Sequence, residues 1–273
     1  MKSLDNKVCV VTGAGSGIGR HLAINLAQEG AILALSDINA DNLKETISLA
    51  KLPQKRVLTR TFDVGNKQDF YDFSAAVEKK FGRVDVVINN AGVTVSESIE
   101  ETAYEDFEWL MNINFWGVVY GTKAFLPILK RSPEACVVNI SSIFGFVGIP
   151  SQGAYNASKF AVRGFTEALR LELKDTSVTP ICVHPGGIKT NIVNNARVFS
   201  GFTANQSKDD LKSLFDKMTY TLPEQAADTI IKGIKKKQRR VLIGPDARAY
   251  DFMARAFPNH YHIVLDKLLR WVS

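Results

Sequence analysis

The chain has 273 residues, of which 45% are apolar and 23% are charged. That balance is typical of a globular protein and excludes disordered, collagen-like and coiled-coil chains. The 34 basic and 28 acidic side chains give a formal charge of +6, and six of the basic residues lie between Lys232 and Arg240. The rest of the chain is balanced, so the net charge does not indicate a nucleic-acid-binding protein. We interpret the basic run as a solvated helix terminus, with an anionic surface or partner as the alternative.

Composition also limits the expected location and metal content. The sequence contains no run of about 18 apolar residues, so we expect no transmembrane helix. Residues 1–7 contain no apolar signal-peptide core. We therefore expect a soluble, cytoplasmic protein. Cys9, Cys136 and Cys182 each lie within an apolar run and have no metal-ligand spacing. We expect buried, reduced thiols and no metal site.

Short β-branched runs alternate along the chain with longer helical patterns. The predicted strands are 7–12, 31–36, 56–62, 84–89, 135–141, 178–184 and 239–243, and the predicted helices are 18–29, 40–51, 66–80, 103–130, 153–174 and 223–237. Several strands are almost continuously apolar, as strands covered on both faces are. The alternation predicts an α/β fold with one parallel sheet, helices on both faces and right-handed crossovers. No repeat or linker interrupts it, so we expect a single domain over 1–273.

The first predicted strand leads into a glycine-rich turn that opens a helix. The turn extends from Thr12 to Gly19, and its candidate nucleotide-binding residues are Gly13, Gly15, Ser16, Gly17, Ile18 and Gly19. Glycines in such a turn let backbone N–H groups approach a pyrophosphate at the helix N-terminus, where the helix dipole favours anions. The strand–turn–helix context predicts a dinucleotide site. The alternative is a tight turn without a ligand.

Asp37 ends the second predicted strand, 18 residues beyond Gly19. An acidic residue at about this interval can accept a hydrogen bond from a ribose 2′-hydroxyl, and it repels a 2′-phosphate. No basic residue neighbours Asp37 in the sequence, so we expect NAD as the cofactor. NADP is the alternative, because Arg20, just after the glycines, can offset the acidic charge. A capping or turn role for Asp37 is the other alternative.

Tyr155 and Lys159 are the residues that point to a particular chemistry. Four residues apart on a predicted helix, they share one face. An ammonium beside a phenol favours the phenolate, so we expect Lys159 to lower the pKa of Tyr155 from about 10 toward neutral pH. A tyrosine tuned in this way can exchange a proton with an alcohol or carbonyl oxygen. The pair is common at this spacing, and its meaning depends on the other motifs.

Taken together, the motifs resemble those of the short-chain dehydrogenase/reductase family along nearly the whole chain. The family pattern TGxxxGxG is Thr12 to Gly19, NNAG is Asn89 to Gly92, and YxxxK is Tyr155 to Lys159. Ser142 precedes Tyr155 by 13 residues, which is the interval of the family. Every motif of the catalytic members is present in the expected order.

The resemblance implies a Rossmann-type, doubly wound sheet of seven strands, a nicotinamide cofactor and reversible oxidation of an alcohol to a carbonyl compound. It implies that Ser142 binds the substrate oxygen and that Tyr155 is the general acid/base. Lys159 would hold the cofactor ribose and bias Tyr155 toward phenolate, and Asn114 would hold a water for proton relay.

Further cofactor contacts follow from the same resemblance. Asp63 and Val64 lie where family members contact the adenine, and the segment from Pro185 to Thr190 matches the one that touches the nicotinamide carboxamide. The residues implied in these and the remaining contacts are Asp63, Val64, Asn90, Ala91, Gly92, Tyr155, Lys159, Pro185, Gly186, Ile188 and Thr190.

The expected substrate pocket contains Ser142, Phe144, Val147 and Gly186, and apolar residues prevail around it. A mostly apolar pocket fits a lipophilic secondary alcohol or its ketone. The alternative is that these side chains are ordinary core residues. His184, at the end of a predicted strand near the cofactor, is expected to be structural rather than catalytic.

Two segments depart from the alternation of strands and helices. Residues 190–222 are long for a connection in a compact domain, and we interpret them as a substrate lid, with an amphipathic helix packed on the core as the alternative. The C-terminal extension, about 245–273, carries apolar side chains that need a partner. It can fold over the active site, join a subunit interface or dock on a membrane surface, and we expect the interface.

The leading interpretation is an NAD-dependent oxidoreductase that acts on a small-molecule alcohol or ketone and forms a homodimer or homotetramer. One alternative is an NADP-preferring carbonyl reductase. Another is a non-catalytic nucleotide-binding protein on the same fold, which the presence of Ser142, Tyr155 and Lys159 disfavours. A third is a peripheral membrane or nucleic-acid binder that acts through the basic run. We expect no nucleic-acid partner.

Overall fold

A computed structural model describes residues 1–190, 197–198, 219–263 and 265 of the chain. Most of the predicted insertion at 190–222 and the end of the predicted C-terminal extension lie outside the described residues. The expected lid over the substrate therefore stays a prediction.

Seven parallel strands form the central sheet, and two short strands pair beside it. The strands are β1 Val8–Thr12, β2 Ile32–Asp37, β3 Val57–Thr61, β4 Val86–Asn89, β5 Val95–Ser96, β6 Ala135–Ile140, β7 Val178–Pro185, β8 Arg197–Val198 and β9 Arg240–Ile243. The sheet has the order β3-β2-β1-β4-β6-β7-β9, and each neighbouring pair is parallel. The chain starts in the middle, builds one half outward to β3, and then returns past β1 to build the other. The predicted doubly wound α/β fold is confirmed.

Helices cover both faces of the sheet, mostly where the sequence predicts them. They are α1 Gly17–Gln28, α2 Ala40–Ala50, α3 Lys67–Phe81, α4 Tyr104–Met111, α5 Gly117–Leu129, α6 Gly153–Glu172, α7 Pro223–Lys235 and α8 Pro245–Ala256. The predicted helix over 103–130 is divided into α4 and α5 by a π-helical turn at Asn112–Trp116. The last helix, α8, lies in the C-terminal extension, for which the sequence analysis predicts no helix.

Each face of the sheet has its own hydrophobic core. In β1, Cys9 and Val11 point to the side covered by α1, α2 and α7, whereas Val8 and Val10 point to the side of α3, α5 and α6. Burial on both sides explains why the strand sequences are almost continuously apolar. The three cysteines are buried and free, and burial raises the pKa of the Cys136 thiol to about 11. They are inert core residues, as the sequence indicates.

The basic run lies at the end of α7 and the start of β9. Lys235 forms an ion pair with Glu29 at 2.5 Å, Lys237 forms one with Glu134 at 2.6 Å, and Arg240 is also paired. Exposed pairs of this kind add little stability, but they reduce the charge that the run presents to a partner. This pairing agrees with a structural role for the basic run.

A buried polar chain anchors α6 against the sheet. The side-chain amide of Asn89 donates to Asn139 of β6, with 2.8 Å between nitrogen and oxygen. Asn139 in turn donates to the hydroxyl of Thr166 in α6 at 3.0 Å. Asn139 and Thr166 are fully buried, so water cannot replace these hydrogen bonds. The polar chain therefore holds α6, which carries Tyr155 and Lys159, in a defined position over the sheet.

Replacing Thr166 by valine is expected to lower the free energy of unfolding by about 1–3 kcal/mol, because it leaves the buried Asn139 amide without its acceptor. Thr229→Val is the matched control. Both threonine hydroxyls donate to the carbonyl four residues earlier, at 2.7 Å for Thr166 and 2.8 Å for Thr229, but only Thr166 accepts from Asn139. Urea denaturation measures both variants, and equal losses in the two would contradict the anchoring role.

Candidate active site

The predicted site residues meet at the carboxyl edge of the sheet. The glycine turn follows β1, the segment Asn90–Gly92 follows β4, Ser142 follows β6, and the segment Pro185–Thr190 continues from the end of β7. Ligands of doubly wound sheets bind at this edge, because loops that leave in different directions open a crevice there. Parallel topology thus brings together motifs that lie far apart in the sequence.

The glycine turn packs directly on the segment that follows β4. Gly13 has a φ of +63°, and a Cβ on Gly19 would lie 2.0 Å from the Gly13 carbonyl oxygen. The side-chain amide of Asn90 donates to the Thr12 carbonyl at 2.9 Å. The Thr12 hydroxyl accepts from the backbone N–H groups of Asn90 and Ala91 at 3.0 and 3.1 Å. These contacts explain why the turn needs glycines and hold it against β4.

The first turn of α1 faces the segment that follows β7. A Cβ on Gly17 would lie 3.3 Å from the Thr190 methyl carbon. Ser16 precedes the helix, and within the described residues its side chain makes no capping hydrogen bond. The backbone N–H groups of Gly17 and Ile18 thus lie at the positive end of a helix dipole, which suits an anionic ligand group.

Gly15 is held by side chains of opposite charge. Its N–H donates to Oδ2 of Asp37 at 2.7 Å, and its carbonyl oxygen accepts from the Arg20 guanidinium at 2.6 and 3.0 Å. Arg20 also forms an ion pair with Glu45 of α2 at 2.6 Å and donates to the Thr46 hydroxyl at 3.2 Å. The guanidinium therefore has a carboxylate partner and is bound to the turn.

Asp63 and Val64 lie just beyond β3, next to the strand that ends at Asp37. Asp63 is exposed, and its carboxylate accepts from the Gly65 N–H at 2.8 Å. Val64 is buried, and its methyl carbon would lie 3.1 Å from a Cβ on Gly117. Of the two residues, Asp63 has an exposed side chain and Val64 does not.

Ser142, Tyr155 and Lys159 come together where α6 passes the end of β6. The hydroxyls of Ser142 and Tyr155 share a hydrogen bond, and Nζ of Lys159 lies 5.4 Å from the centre of the Tyr155 ring. Lys159 is buried, and its Nζ donates to the Ile140 carbonyl at 3.1 Å. A Cβ on Gly92 would lie 3.5 Å from that nitrogen. The ammonium therefore lies between α6, β6 and the segment after β4.

Burial determines the proton affinities of this group. It raises the pKa of Tyr155 to about 12, although the hydrogen bond with Ser142 partly opposes it. Burial also lowers the pKa of Lys159 to about 8. The sequence-based expectation of a lowered tyrosine pKa is therefore wrong for this structure, because desolvation penalises the charged form of both groups. At neutral pH the tyrosine holds its proton.

Asn114 lies in the π-helical turn and is fully buried. Its side-chain oxygen accepts from the Val93 N–H at 2.8 Å, and its amide donates to the Val93 carbonyl at 2.9 Å and to the Ser158 hydroxyl at 3.2 Å. A Cβ on Gly92 would lie 3.2 Å from the Asn114 oxygen. Asn114 therefore joins the segment after β4 to α6. The relay water expected at this residue stays a prediction.

The predicted pocket residues take different positions around Tyr155. The Phe144 ring meets the Tyr155 ring edge-on, with 5.8 Å between their centres. Val147 is fully buried in an apolar cluster that Leu265 of the C-terminal extension completes. Gly186 lies against Asp246 in the first turn of α8. Phe144 is thus the predicted apolar pocket residue that contacts Tyr155.

His184 supports the backbone of Ser142 from the core. Its Nδ1 lies 3.2 Å from the Ser142 carbonyl oxygen, and its ring lies 4.2 Å from the ring of Phe146. Burial lowers the pKa of His184 to about 3, so the imidazole is neutral and Nδ1–H donates to the carbonyl. This is the structural role that the sequence indicates.

Two polar residues near the site are missed by sequence reasoning. Ser158 bonds Asn114, and the Asp246 carboxylate accepts from the Gly187 N–H at 2.7 Å. Ser158 belongs to the YxxxK stretch but has no signal of its own. Asp246 follows Gly244 and Pro245 in the sequence, a pattern that indicates a helix start and could have revealed α8.

Neither a metal-binding cluster nor a membrane-spanning helix occurs in the part of the chain that the structure describes. Across residues 1–190, 197–198, 219–263 and 265, no group of three or more His, Cys, Asp or Glu side chains could hold a metal ion. No helix in those residues is long and apolar enough to cross a membrane.

A family model described as short chain dehydrogenase matches residues 7–200. The chain belongs to the short-chain dehydrogenase family. The matched span contains the glycine turn, Asn114, Ser142, Tyr155 and Lys159, so the family that the motifs resemble is confirmed. The protein is an oxidoreductase of that family.

Individual relatives resemble the chain over almost its full length. SadH of Mycobacterium tuberculosis is 44% identical over 264 residues, which cover 96% of this chain and 94% of SadH. Human estradiol 17-beta-dehydrogenase 11 is 29% identical over 97% of this chain and 84% of its own length. A short chain dehydrogenase/reductase from Burkholderia phymatum, solved in complex with NAD, superposes with a TM-score of 0.85 at 27% identity and 97% coverage of both chains.

The protonation state of Tyr155 can be measured by spectrophotometric titration. In the cofactor-free protein, the difference between wild type and Tyr155→Phe should show no phenolate absorbance below about pH 10, the ordinary pKa of tyrosine, because burial raises this pKa to about 12. In denaturant, the phenolate absorbance in the same difference spectrum should appear at about pH 10. A phenolate that appears near neutral pH in the folded protein would contradict the dominance of burial.

Proposed function

We propose that this protein is an NAD-dependent oxidoreductase that interconverts a lipophilic secondary alcohol and its ketone. The hydrogen-bonded hydroxyls of Ser142 and Tyr155, with the Lys159 ammonium close to the tyrosine ring, carry this proposal. They lie at the carboxyl edge of the sheet beside the glycine turn. Two hydroxyls that can bind one oxygen atom, next to a cationic side chain, suit proton exchange with an alcohol or ketone.

The described residues fit a dinucleotide. The turn carries no side chains at Gly13, Gly17 and Gly19, which lets a diphosphate approach its backbone N–H groups. The N-terminus of α1 favours the diphosphate charge, and Asp37 lies at the end of β2 to accept from a ribose hydroxyl. Lys159 and the segment Pro185–Thr190 would hold the nicotinamide half. When bound, the nicotinamide supplies the acceptor or donor of a hydride.

The residues of the chain handle the proton. In the oxidation direction Tyr155 takes the hydroxyl proton of the alcohol, and in the reduction direction it gives a proton to the carbonyl oxygen. Ser142 donates a hydrogen bond to the same oxygen and orients the substrate carbon. A charged Lys159 favours the phenolate, which must be present before Tyr155 can take a proton in oxidation and which forms when Tyr155 gives its proton in reduction. Asn114 fixes the segment after β4 against α6 and would hold the water that returns the proton to solvent.

The proposed preference for NAD rests on charges around Gly15. Asp37 accepts from the Gly15 N–H, so its carboxylate is held at the end of β2, where it would repel a 2′-phosphate. Arg20, the cation that could offset this repulsion, is paired with Glu45 and bound to the Gly15 carbonyl. These contacts favour NAD over the NADP alternative.

The proposed substrate class rests on the apolar surroundings of the hydroxyl pair. Phe144 contacts Tyr155, and Tyr155 packs against an apolar cluster formed by Val95, Leu110 and Ala154. The similarity to human estradiol 17-beta-dehydrogenase 11 supports a lipophilic substrate, since estradiol is one.

We also propose a homodimer or homotetramer located in the cytoplasm. Trp116, which stacks on Tyr120 at 5.8 Å, is 46% exposed, and Phe160 of α6 is 42% exposed. Large aromatic side chains exposed on a protein surface are typical of interfaces. Sedimentation of the purified protein as a monomer would contradict the proposed assembly.

Tyr155→Phe should keep NADH binding and lose turnover by about 10²–10⁴-fold, the usual contribution of a general acid/base. The assay is a panel of lipophilic secondary alcohols with NAD, read by NADH absorbance, with NADH binding measured by fluorescence. Tyr71→Phe, on the exposed side of α3, is the matched control and should leave both unchanged. Unchanged turnover in Tyr155→Phe would remove Tyr155 from the mechanism.

The preference for NAD over NADP in kcat/KM should fall by about tenfold or more in Asp37→Ala, which corresponds to about 1.4 kcal/mol. The reason is that this variant removes the charge that repels a 2′-phosphate. Asp41→Ala is the control, because Asp41 is a nearby exposed acid that pairs only with Lys44 among the described residues. A wild-type enzyme that prefers NADP would overturn the interpretation of Asp37.

A further inference from the structure

The carboxylate of Asp246 occupies a space between two glycines at the start of α8. A Cβ on Gly186 would lie 2.1 Å from one of its oxygens, and a Cβ on Gly244 would lie 2.3 Å from the other. Its Oδ2 accepts from the Gly187 N–H at 2.7 Å. Gly244 has a φ of +97°, which favours glycine. The backbone on both sides is thus shaped to let this carboxylate reach the segment after β7.

Backbone hydrogen bonds also hold that segment on its way to the cofactor crevice. Gly186 N–H donates to the Ile243 carbonyl at 2.9 Å, Thr221 N–H donates to the Gly187 carbonyl at 3.3 Å, and Lys189 N–H donates to the Thr221 carbonyl at 3.0 Å. Between these bonds, the Asp246 carboxylate accepts a hydrogen bond from the backbone N–H of Gly187. The segment ends at Thr190, whose methyl lies against Gly17 of α1. A shift at Gly187 would therefore move the wall that faces the first turn of α1.

Asp246 and Asp251, the two acidic residues of α8, have different partners. Asp251 forms ion pairs with Arg240 and Arg255. Among the described residues Asp246 has no ion-pair partner, and it makes a charge-assisted hydrogen bond with a backbone N–H instead. Such bonds are roughly twice as strong as neutral ones. The Asp246 carboxylate is therefore directed at the backbone of the segment and not at a surface cation.

The same helix also contacts the substrate side of the site. Tyr250 and Ala254 of α8 pack on the apolar cluster around Phe146. Just beyond α8, the Tyr261 hydroxyl accepts from the Gly148 N–H at 3.3 Å. One helix of the C-terminal extension thus touches both the segment after β7, through Asp246, and the loop that follows Ser142.

We propose that Asp246 is a positioning residue for the cofactor: it holds the backbone of Gly186 and Gly187 so that the segment Pro185–Thr190 can bind the nicotinamide half of NAD. This inference rests on the proposed function, in which that segment contacts the nicotinamide. It makes the C-terminal extension part of the cofactor site. The loss of Asp246 should weaken binding of the nicotinamide half and leave binding of the adenosine half unchanged. The reason is that the glycine turn and Asp37, which would bind the adenosine half, do not contact Asp246.

The test compares NADH with ADP-ribose, which lacks the nicotinamide. In Asp246→Ala, the dissociation constant of NADH, measured by fluorescence, should rise about tenfold or more, since a charge-assisted hydrogen bond is lost. The dissociation constant of ADP-ribose, measured by calorimetry, should stay within about threefold, a difference below 1 kcal/mol. Asp246→Asn keeps a neutral acceptor and should give an intermediate value for NADH. Asp251→Ala is the matched control on α8 and should change neither constant.

Several outcomes would overturn the inference. Equal NADH affinities in Asp246→Ala and wild type would show that the contact does not position the segment. Equal weakening of NADH and ADP-ribose would show a general structural defect. If Asp246→Ala does not fold, Asp246→Asn decides, and a wild-type affinity for NADH in that variant counts against the inference. A wild-type protein that binds neither nucleotide would overturn the proposed function, and this inference with it.

Discussion

The parallel pairing of the seven strands is the constraint on which every other feature of this protein depends. Because each strand is followed by a crossover, all carboxyl ends lie at one edge, and both faces are covered by helices. Polar side chains that must meet a ligand can therefore collect only at that edge. Asn90, Ser142 and Thr190 follow three different strands, yet they reach one crevice. Because helices cover both faces, the central residues of β1 and β4 are apolar and buried.

Burial has an electrostatic consequence at the site. Tyr155 and Lys159 are close, and a simple charge argument predicts that each stabilises the ionised form of the other. Desolvation acts more strongly, raising the pKa of Tyr155 to about 12 and lowering that of Lys159 to about 8. The resting site is thus arranged to hold a proton on the phenol. His184 is subject to the same effect, which keeps it neutral and makes it a fixed hydrogen-bond donor to the backbone of Ser142.

The C-terminal extension gains a defined role from its contacts. The sequence leaves three possibilities open for its apolar residues, with a subunit interface favoured. In the described residues, Leu265 and Tyr261 pack on the loop that follows Ser142, and Asp246 reaches the segment after β7. The extension therefore folds over the active-site loops of its own chain, at least up to Leu265. Phe252 and Phe257 remain exposed on its outer side and are free to take part in an assembly.

The sequence by itself determined the fold class, the seven strands of the sheet and the motifs of the family, because hydrophobic periodicity and glycine-rich turns are local signals. It also located Tyr155 and Lys159 on one helix face. The division of the 103–130 helix at Asn114, the pairing of Arg20 with Glu45 and the contact of Asp246 with Gly187 were decided only by the tertiary structure. Each joins residues from separate elements, and no local pattern records which partner lies opposite. The pKa of Tyr155 belongs with these features, since it depends on how many neighbours exclude water from the phenol, and that number exists only in the folded chain.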